Sequence, residues 1–278
     1  MKNKNNSKQN FYPAALTITG SDSSGGAGVQ VDLRTFNAFA VYGCSAITAI
    51  ASRSSVVMPI CCEAIETQIN AVLAETPIKF AKSGMLLSAD MVRVVAEKVA
   101  MHQLNLVADP SIITNYGTYL LNREIIEAMD EYLFPLAKLI TVNIPEAEIM
   151  LGAKINNEKD LISTALRMAK IYKTDVIIKG GHWQNNADTI DIVVLDGDAY
   201  RLKSPYLKNC RHNHGADCTF SAAICANLAL GTPLDDSILE AKTFVFGSLV
   251  EPVRIGNSCE VMYPPELDYS EHVSLIGI

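Results

Sequence analysis

The chain has 278 residues, 49% of them apolar and 19% charged, which is the composition of a folded protein with a sizeable core and excludes a disordered one. Its length admits one large α/β domain or two small ones. A net charge of −7 and an isoelectric point near 5.3 argue against nucleic acid or an anionic membrane surface as the main partner.

Residues 1–13 begin MKNKNNSKQN, a polar run without an apolar h-region, and read as a floppy arm and not a signal peptide. From 14 to 278 there is no linker or repeat, so a single domain is expected. ALTITG (15–20) is a strand that runs into a Gly-rich loop, SDSSGGAG, and a helix follows from Gln30 to Phe39. SAITAI (45–50), FAKSG (80–84), LNLVADP (104–110), AKLITVN (137–143) and DVIIKGG (175–181) repeat the scheme, with helices such as 90–100 and 158–172 between them. Apolar runs of this kind, alternating with helices, specify a mostly parallel central sheet covered on both faces, a three-layer α/β/α protein. IDIVVLDGDAYRL (190–202) breaks the pattern: two strands about Asp196-Gly197 form a hairpin, so the sheet should end in antiparallel edge strands. The last clear helix starts at Gly215-Ala216 and stops at Gly231, where a C-terminal cap belongs. No apolar run reaches the roughly 18 residues of a membrane span. The seven cysteines (44, 61, 62, 210, 218, 225, 259) lack zinc-type spacing and suit reduced thiols in a cytoplasm.

Ligands of such sheets bind at the carboxyl ends of the strands, so those loops hold the candidates. GSDSSGGAG lacks the Lys-Ser/Thr of a phosphate-binding P-loop and the G-x-G-x-x-G of a dinucleotide site. It is either a tight turn or a substrate loop, in which Asp22 would accept hydrogen bonds from a polar ligand. In TVNIPEAEIMLG, Asn143 and Glu146 stand three apart after a strand, suited to a hydrated Mg²⁺ or, equally, to a helix cap. Lys179, followed by Gly180 and Gly181, is either a phosphate ligand or a solvated lysine; His182 and Trp183 read as packing or loop residues. HGADCT (214–219) offers the free N–H groups of a helix start as an anion site. Cys218 in that field is expected to have a lowered pKa and to act as a base, the alternative being an inert buried thiol. Asp217 is the anomaly, an anion within an anion site.

Taken in order, these stretches resemble the ribokinase-like kinases, and among them the hydroxymethylpyrimidine/phosphomethylpyrimidine kinases of thiamine biosynthesis. The likeness is carried by ALTITGSDSSGGAGVQVDLRTFNAFAVYGCSAITAI, KSGML (82–86), ADP (108–110), ITVNIPEAEIMLG, IKGGH and HGADCTFSAAI, and spans roughly residues 14–250. The resemblance implies a ribokinase-like fold, ATP and Mg²⁺ as cofactors, a ring-alcohol substrate, and a homodimer. It implies that Gly20, Asp22 and the residue at Arg53 face the substrate. Asn143, Lys179 and Gly181 would attend the nucleotide phosphates, and Asp109 with Glu146 the metal. Gly215, Ala216, Asp217 and Cys218 would form the catalytic anion hole, with Cys218 where relatives carry their base. Close relatives with similar motifs phosphorylate pyridoxal, so a pyridoxal or pyridoxine kinase and a catalytically impaired ligand-binding relative are the alternatives.

The chain departs from the family pattern in five places. Asp217 replaces the second glycine of the anion hole, Arg53-Ser54-Ser55 replaces Gln-Asn-Thr, and Asn115-Tyr116 precedes Gly117 where a Lys before Ser-Gly is usual. RIGNSCEVMYP (254–264) replaces a glycine-rich segment, and Ser24 a glycine. Two expectations follow. Asp217 should repel the γ-phosphate and occupy a position that favours φ > 0, unless it has itself become base or magnesium ligand. Arg53, a pure donor, should bias the pocket toward an anionic ring or a phosphorylated pyrimidine.

Overall fold

The computed structural model describes residues 12–52, 56–112, 122–181, 187–208, 210, 212–257 and 259–278. Its first half winds β1 (Ala14–Asp22), α1 (Gly28–Ala38), β2 (Tyr42–Ala51), β3 (Val57–Pro59), α2 (Cys62–Glu75), β4 (Phe80–Ser83), α3 (Ala89–His102), β5 (Asn105–Ala108) and α4 (Arg123–Ala128). The second half adds β6 (Ala137–Asn143), α5 (Ile144–Leu151), α6 (Glu158–Tyr172), β7 (Asp175–Lys179), β8 (Asp188–Leu195), β9 (Asp198–Pro205), α7 (Ala216–Leu230) and α8 (Leu234–Val250). A two-stranded ribbon of β10 (Val253–Arg254) and β11 (Glu260–Val261) and the final strand β12 (Ser274–Gly277) complete it.

The sheet has ten strands in the order β12-β9-β8-β7-β6-β5-β4-β1-β2-β3. Its six central strands, β7 to β2, run parallel; β3 is antiparallel at one edge, and β8, β9 and β12 at the other. The expected architecture is therefore present. Side chains alternate between the two faces, except at the register shifts of β1 against β2 and β5 against β6. In β7, Val176 and Ile178 point to the core under α2 to α6, while Ile177 points to the core under α1, α7 and α8. The β8–β9 turn places Asp196 at φ 50° and Gly197 at φ 90°, the paired left-handed residues that a two-residue hairpin requires.

Helix ends are set by local chemistry. Ser88 caps α3 by accepting from Met91 N–H, Asn157 caps α6 by accepting from Asp160 N–H, and Gly231 closes α7 at φ 89°. Among the described residues no helix is long and apolar enough to cross a membrane. All seven cysteines are free. The carboxyl ends of β1, β4, β5, β6 and β7 deliver Asp22, Gly84, Asp109, Asn143 and Lys179 to one edge of the sheet, where the N-terminus of α7 arrives from above.

Candidate active site

The Gly-rich loop after β1 is wound against its own strand. Gly28 opens α1 at φ 61°, and a Cβ there would lie 2.2 Å from the Gly20 carbonyl, so only glycine fits. Asp22 turns back into the loop: Oδ1 accepts from Ser24 N–H at 2.8 Å, and Oδ2 from the Ser24 hydroxyl at 2.8 Å. Its Oδ2 also lies 2.8 Å from His214 Nε2. Partial burial acts to raise the Asp22 carboxyl, but these bonds and the His214 charge hold it below the usual carboxylate range. Its expected role as a free acceptor for a ring is thus shared with a structural one.

α7 begins at Gly215 in the left-handed region, φ 87°, and no side chain caps it. Its first-turn N–H groups have no partner within the helix, which leaves a positive end that Asn213 O and the Asp217 carboxylate offset only in part. The glycine requirement falls on 215: a Cβ there would lie 1.9 Å from Gly26 O. Position 217 has an ordinary helical backbone, so the expectation of φ > 0 at Asp217 is incorrect. The Asp217 carboxylate pairs with Lys179, Oδ1 to Nζ 3.0 Å.

Lys179 is no solvated lysine. It is 8% exposed at the end of β7, and its Nζ is also 3.3 Å from Asp109 Oδ1. Burial opposes its charge, yet Asp109, Asp217 and Glu146 outweigh that and hold the ammonium well above its ordinary pKa. Asp109, at the end of β5, accepts from Lys179 on one oxygen and from the Ser221 hydroxyl of α7 at 2.8 Å on the other. Burial pushes its carboxyl up; Lys179, Lys82 and Ser221 bring it below its ordinary value.

Asn143 and Glu146 realise the capping alternative in full. Glu146 N–H donates to Asn143 Oδ1 and Asn143 N–H to Glu146 Oε2, each at 3.0 Å, a reciprocal capping box that starts α5. Glu146 Oε1 accepts from Ile112 N–H at 2.8 Å. At 2% exposure, burial, aided by Asp109 and Asp217 against Lys179, pushes its carboxyl up to about 7.

Cys218 corrects a second expectation. The thiol is pushed up to about 11, because burial outweighs the pull of Lys82, and Asp32 and Asp109 add to the rise. At the positive end of a helix, burial still wins.

Five partners escape a reading of the motifs. Lys82 on β4 is fully buried and bridges both oxygens of the equally buried Asp32 on α1, at 2.8 and 2.9 Å. The Thr17 hydroxyl donates to the same carboxylate at 2.5 Å. Ser221 and His214 complete the set, tying α7 to Asp109 and to Asp22. The one available signal was Lys82, a charge within a strand whose neighbours all face core, which demands a buried partner. Gly181 follows β7 at φ 40°, Gly180 N–H is held by Asp191 at 2.8 Å, and Ala216 N–H is taken by Asn213 O at 3.1 Å. Gly20 packs against Met85 and Ala49 under the loop. Arg53, Ser54-Ser55, Asn115 to Gly117, His182 and Trp183 lie outside the described residues, as does the arm up to residue 11. Among the described residues no three His, Cys, Asp or Glu side chains converge as a ready metal centre.

A family model described as phosphomethylpyrimidine kinase matches residues 22–262. The hydroxymethylpyrimidine/phosphomethylpyrimidine kinase of Haemophilus influenzae is 41% identical over 249 residues, 87% of this chain and 92% of that protein. The crystal structure of phosphomethylpyrimidine kinase from Clostridium difficile matches with a TM-score of 0.72 at 36% identity, covering 84% of this chain and 97% of that one. That of the pyridoxal kinase from Staphylococcus aureus, in complex with AMP-PCP and pyridoxal, matches with a TM-score of 0.83 at 30% identity, covering 96% of this chain and 100% of that one.

Proposed function

Because the chain belongs to the phosphomethylpyrimidine kinase family, we propose that it transfers a phosphoryl group from ATP to 4-amino-5-hydroxymethyl-2-methylpyrimidine, to its monophosphate, or to both, in thiamine biosynthesis. The fold is ribokinase-like, and the chain is a phosphotransferase of this family that uses ATP. We assign the activity to one domain, residues 14–278. The observation that carries the reading is Lys179: an almost buried ammonium, fixed between carboxylates, beside the uncapped N-terminus of α7. Phosphoryl transfer is mostly positioning and charge stabilisation, and these are the groups it needs.

The roles are those that the family resemblance implies. Lys179, with Gly181 and Asn143, attends the nucleotide phosphates. Gly215 to Cys218 form the anion hole, in which the N–H groups of Asp217 and Cys218 face the transferred group, and Cys218 takes the proton of the attacking hydroxyl. Gly20, Asp22 and Arg53 belong to the ring side. Asp109 and Glu146 would hold Mg²⁺, because carboxylate oxygen donors suit a hard cation. That ion, when bound, neutralises phosphate charge. Chelation of divalent cations should therefore abolish turnover. A cytoplasmic setting is consistent with seven free cysteines. We also propose a homodimer, supported by the exposed Ile50, Val56 and Met58 along the β2–β3 edge; sedimentation at the mass of one chain would refute it.

Pyridoxal is the second reading for the acceptor, favoured by the higher TM-score to the pyridoxal kinase than to the phosphomethylpyrimidine kinase. ATP consumption with hydroxymethylpyrimidine, its monophosphate and pyridoxal separates the readings. Turnover is expected with the pyrimidines. Turnover with none of the three, alongside thermal stabilisation by one of them, would leave a ligand-binding relative.

A further inference from the structure

Two segments far apart in the chain meet above the phosphate site with almost nothing between their backbones. A Cβ on Gly215 would lie 1.9 Å from Gly26 O, and one on Gly26 would lie 2.6 Å from His214 Cδ2. Across this seam runs one side-chain bond, His214 Nε2 to Asp22 Oδ2 at 2.8 Å. Asp22 is in turn fixed by Ser24, while Gln30 accepts from Asp22 N–H at 3.0 Å and Arg34 donates to Gly25 O at 3.0 Å. The Gly-rich loop is therefore stiff on its own side. On the other side, His214 immediately precedes the left-handed residue that aims the first N–H groups of α7. The His214 side chain is 41% exposed and that of Asp22 13%, so the bond lies at the rim where ligands enter.

We propose that His214 is a positioning residue: its bond to Asp22 locks the anion hole of α7 to the Gly-rich loop, so that a ligand that orders either one favours binding at the other. The role rests on the kinase reading above. The physical basis is shared ordering. Once one ligand has fixed the joined segments, the second no longer has to fix them, and its affinity rises by the same factor whichever ligand comes first. A hydrogen bond of this type, partly exposed and with one charged partner, supports a coupling of about fivefold to tenfold. Nothing in this role requires His214 to touch substrate or to move a proton.

The test is calorimetric titration of the full chain with AMP-PCP, with and without saturating hydroxymethylpyrimidine, pyridoxal serving as a second acceptor. In the wild type each ligand should tighten the other about fivefold to tenfold. His214→Leu keeps the bulk beside Gly26 and loses the donor; it should bind each ligand alone within about threefold of wild type while the coupling factor falls toward one. His214→Gln keeps an N–H donor and should restore most of the coupling. Coupling unchanged in His214→Leu, or no coupling in the wild type, overturns the positioning role and leaves the kinase reading intact. So does equal loss of single-ligand affinity and of melting temperature in both variants, which is the mark of a structural role alone. Failure of AMP-PCP, or of both alcohols, to bind the wild type overturns the kinase reading and this role with it.

Discussion

Asp217 stands where the family pattern has glycine, and its carboxylate has found the two positive features nearby, the first turn of α7 and the ammonium of Lys179. If Lys179 binds phosphate as proposed, Asp217 occupies a place on it that a phosphate oxygen would use. Its side chain is 45% exposed, so solvent screens the pair and its worth is on the order of 1 kcal/mol. Asp217→Gly should accordingly lower the KM for ATP by about fivefold, with kcat unchanged or higher. A fall in kcat would instead make Asp217 a working group and Cys218 a bystander. Cys218→Ala should lower kcat by about 10² to 10⁴ and leave ATP affinity nearly unchanged. With the thiol pushed up to about 11, the base form is scarce at neutral pH and grows as pH rises toward that value. The wild-type kcat should therefore climb between pH 6 and pH 9, by up to about tenfold per unit, and the Ala variant should lose that climb. A flat wild-type profile would remove the base assignment.

At the scale of elements, α1 is fastened to the sheet by charge as well as by apolar packing. Lys82 of β4 and Asp32 of α1 are both fully buried, and Thr17 of β1 completes the contact. Breaking such a pair strands a charge, while removing both partners does not. Lys82→Met should cost about 3–5 kcal/mol in denaturant unfolding, and adding Asp32→Leu should recover most of it. A single variant that costs less than about 1 kcal/mol would mean that water reaches the pair. The same pair shows why parts of the site were illegible. Lys179, Glu146, Asp109 and Cys218 announce themselves by standing where apolar strands stop or a helix starts. Asp32 with Lys82, Ser221 with Asp109, and His214 with Asp22 are partners across 50, 112 and 192 residues, a distance that no local pattern reports. The direction of the Cys218 shift escapes the sequence for a related reason: a helix dipole can be read from sequence, whereas the burial that outweighs it cannot.

For the whole molecule, the alternation of strands and helices carried the architecture because each element declares itself locally. α6 coincides with its expected limits, 158–172, and the Asp196-Gly197 turn fell where the hairpin demanded it. β3 and β12 are too short to leave a periodic trace, and α8 hides in a run, TFVFGSLV, whose β-branched and aromatic residues obscure a helical reading. If the site binds nucleotide as assigned, AMP-PCP at a hundred times its Kd should stabilise the fold by about 2.7 kcal/mol. For a chain of this size that corresponds to a rise in melting temperature of roughly 5–10 °C, readable by differential scanning fluorimetry, and no rise would count against the assignment.

The seam between Gly26 and Gly215 also bears on how the protein comes into being. Synthesis delivers the Gly-rich loop early and its counterpart almost two hundred residues later, since the bond that joins them spans 192 positions. A growing chain that has β1, β2 and α1 still lacks the segment that meets them at Gly26 until α7 leaves the ribosome. If nucleotide binds as assigned, it can recognise only chains in which α7 has emerged. A chain ended before residue 211 would keep most of the sheet's sequence and should be blind to ATP.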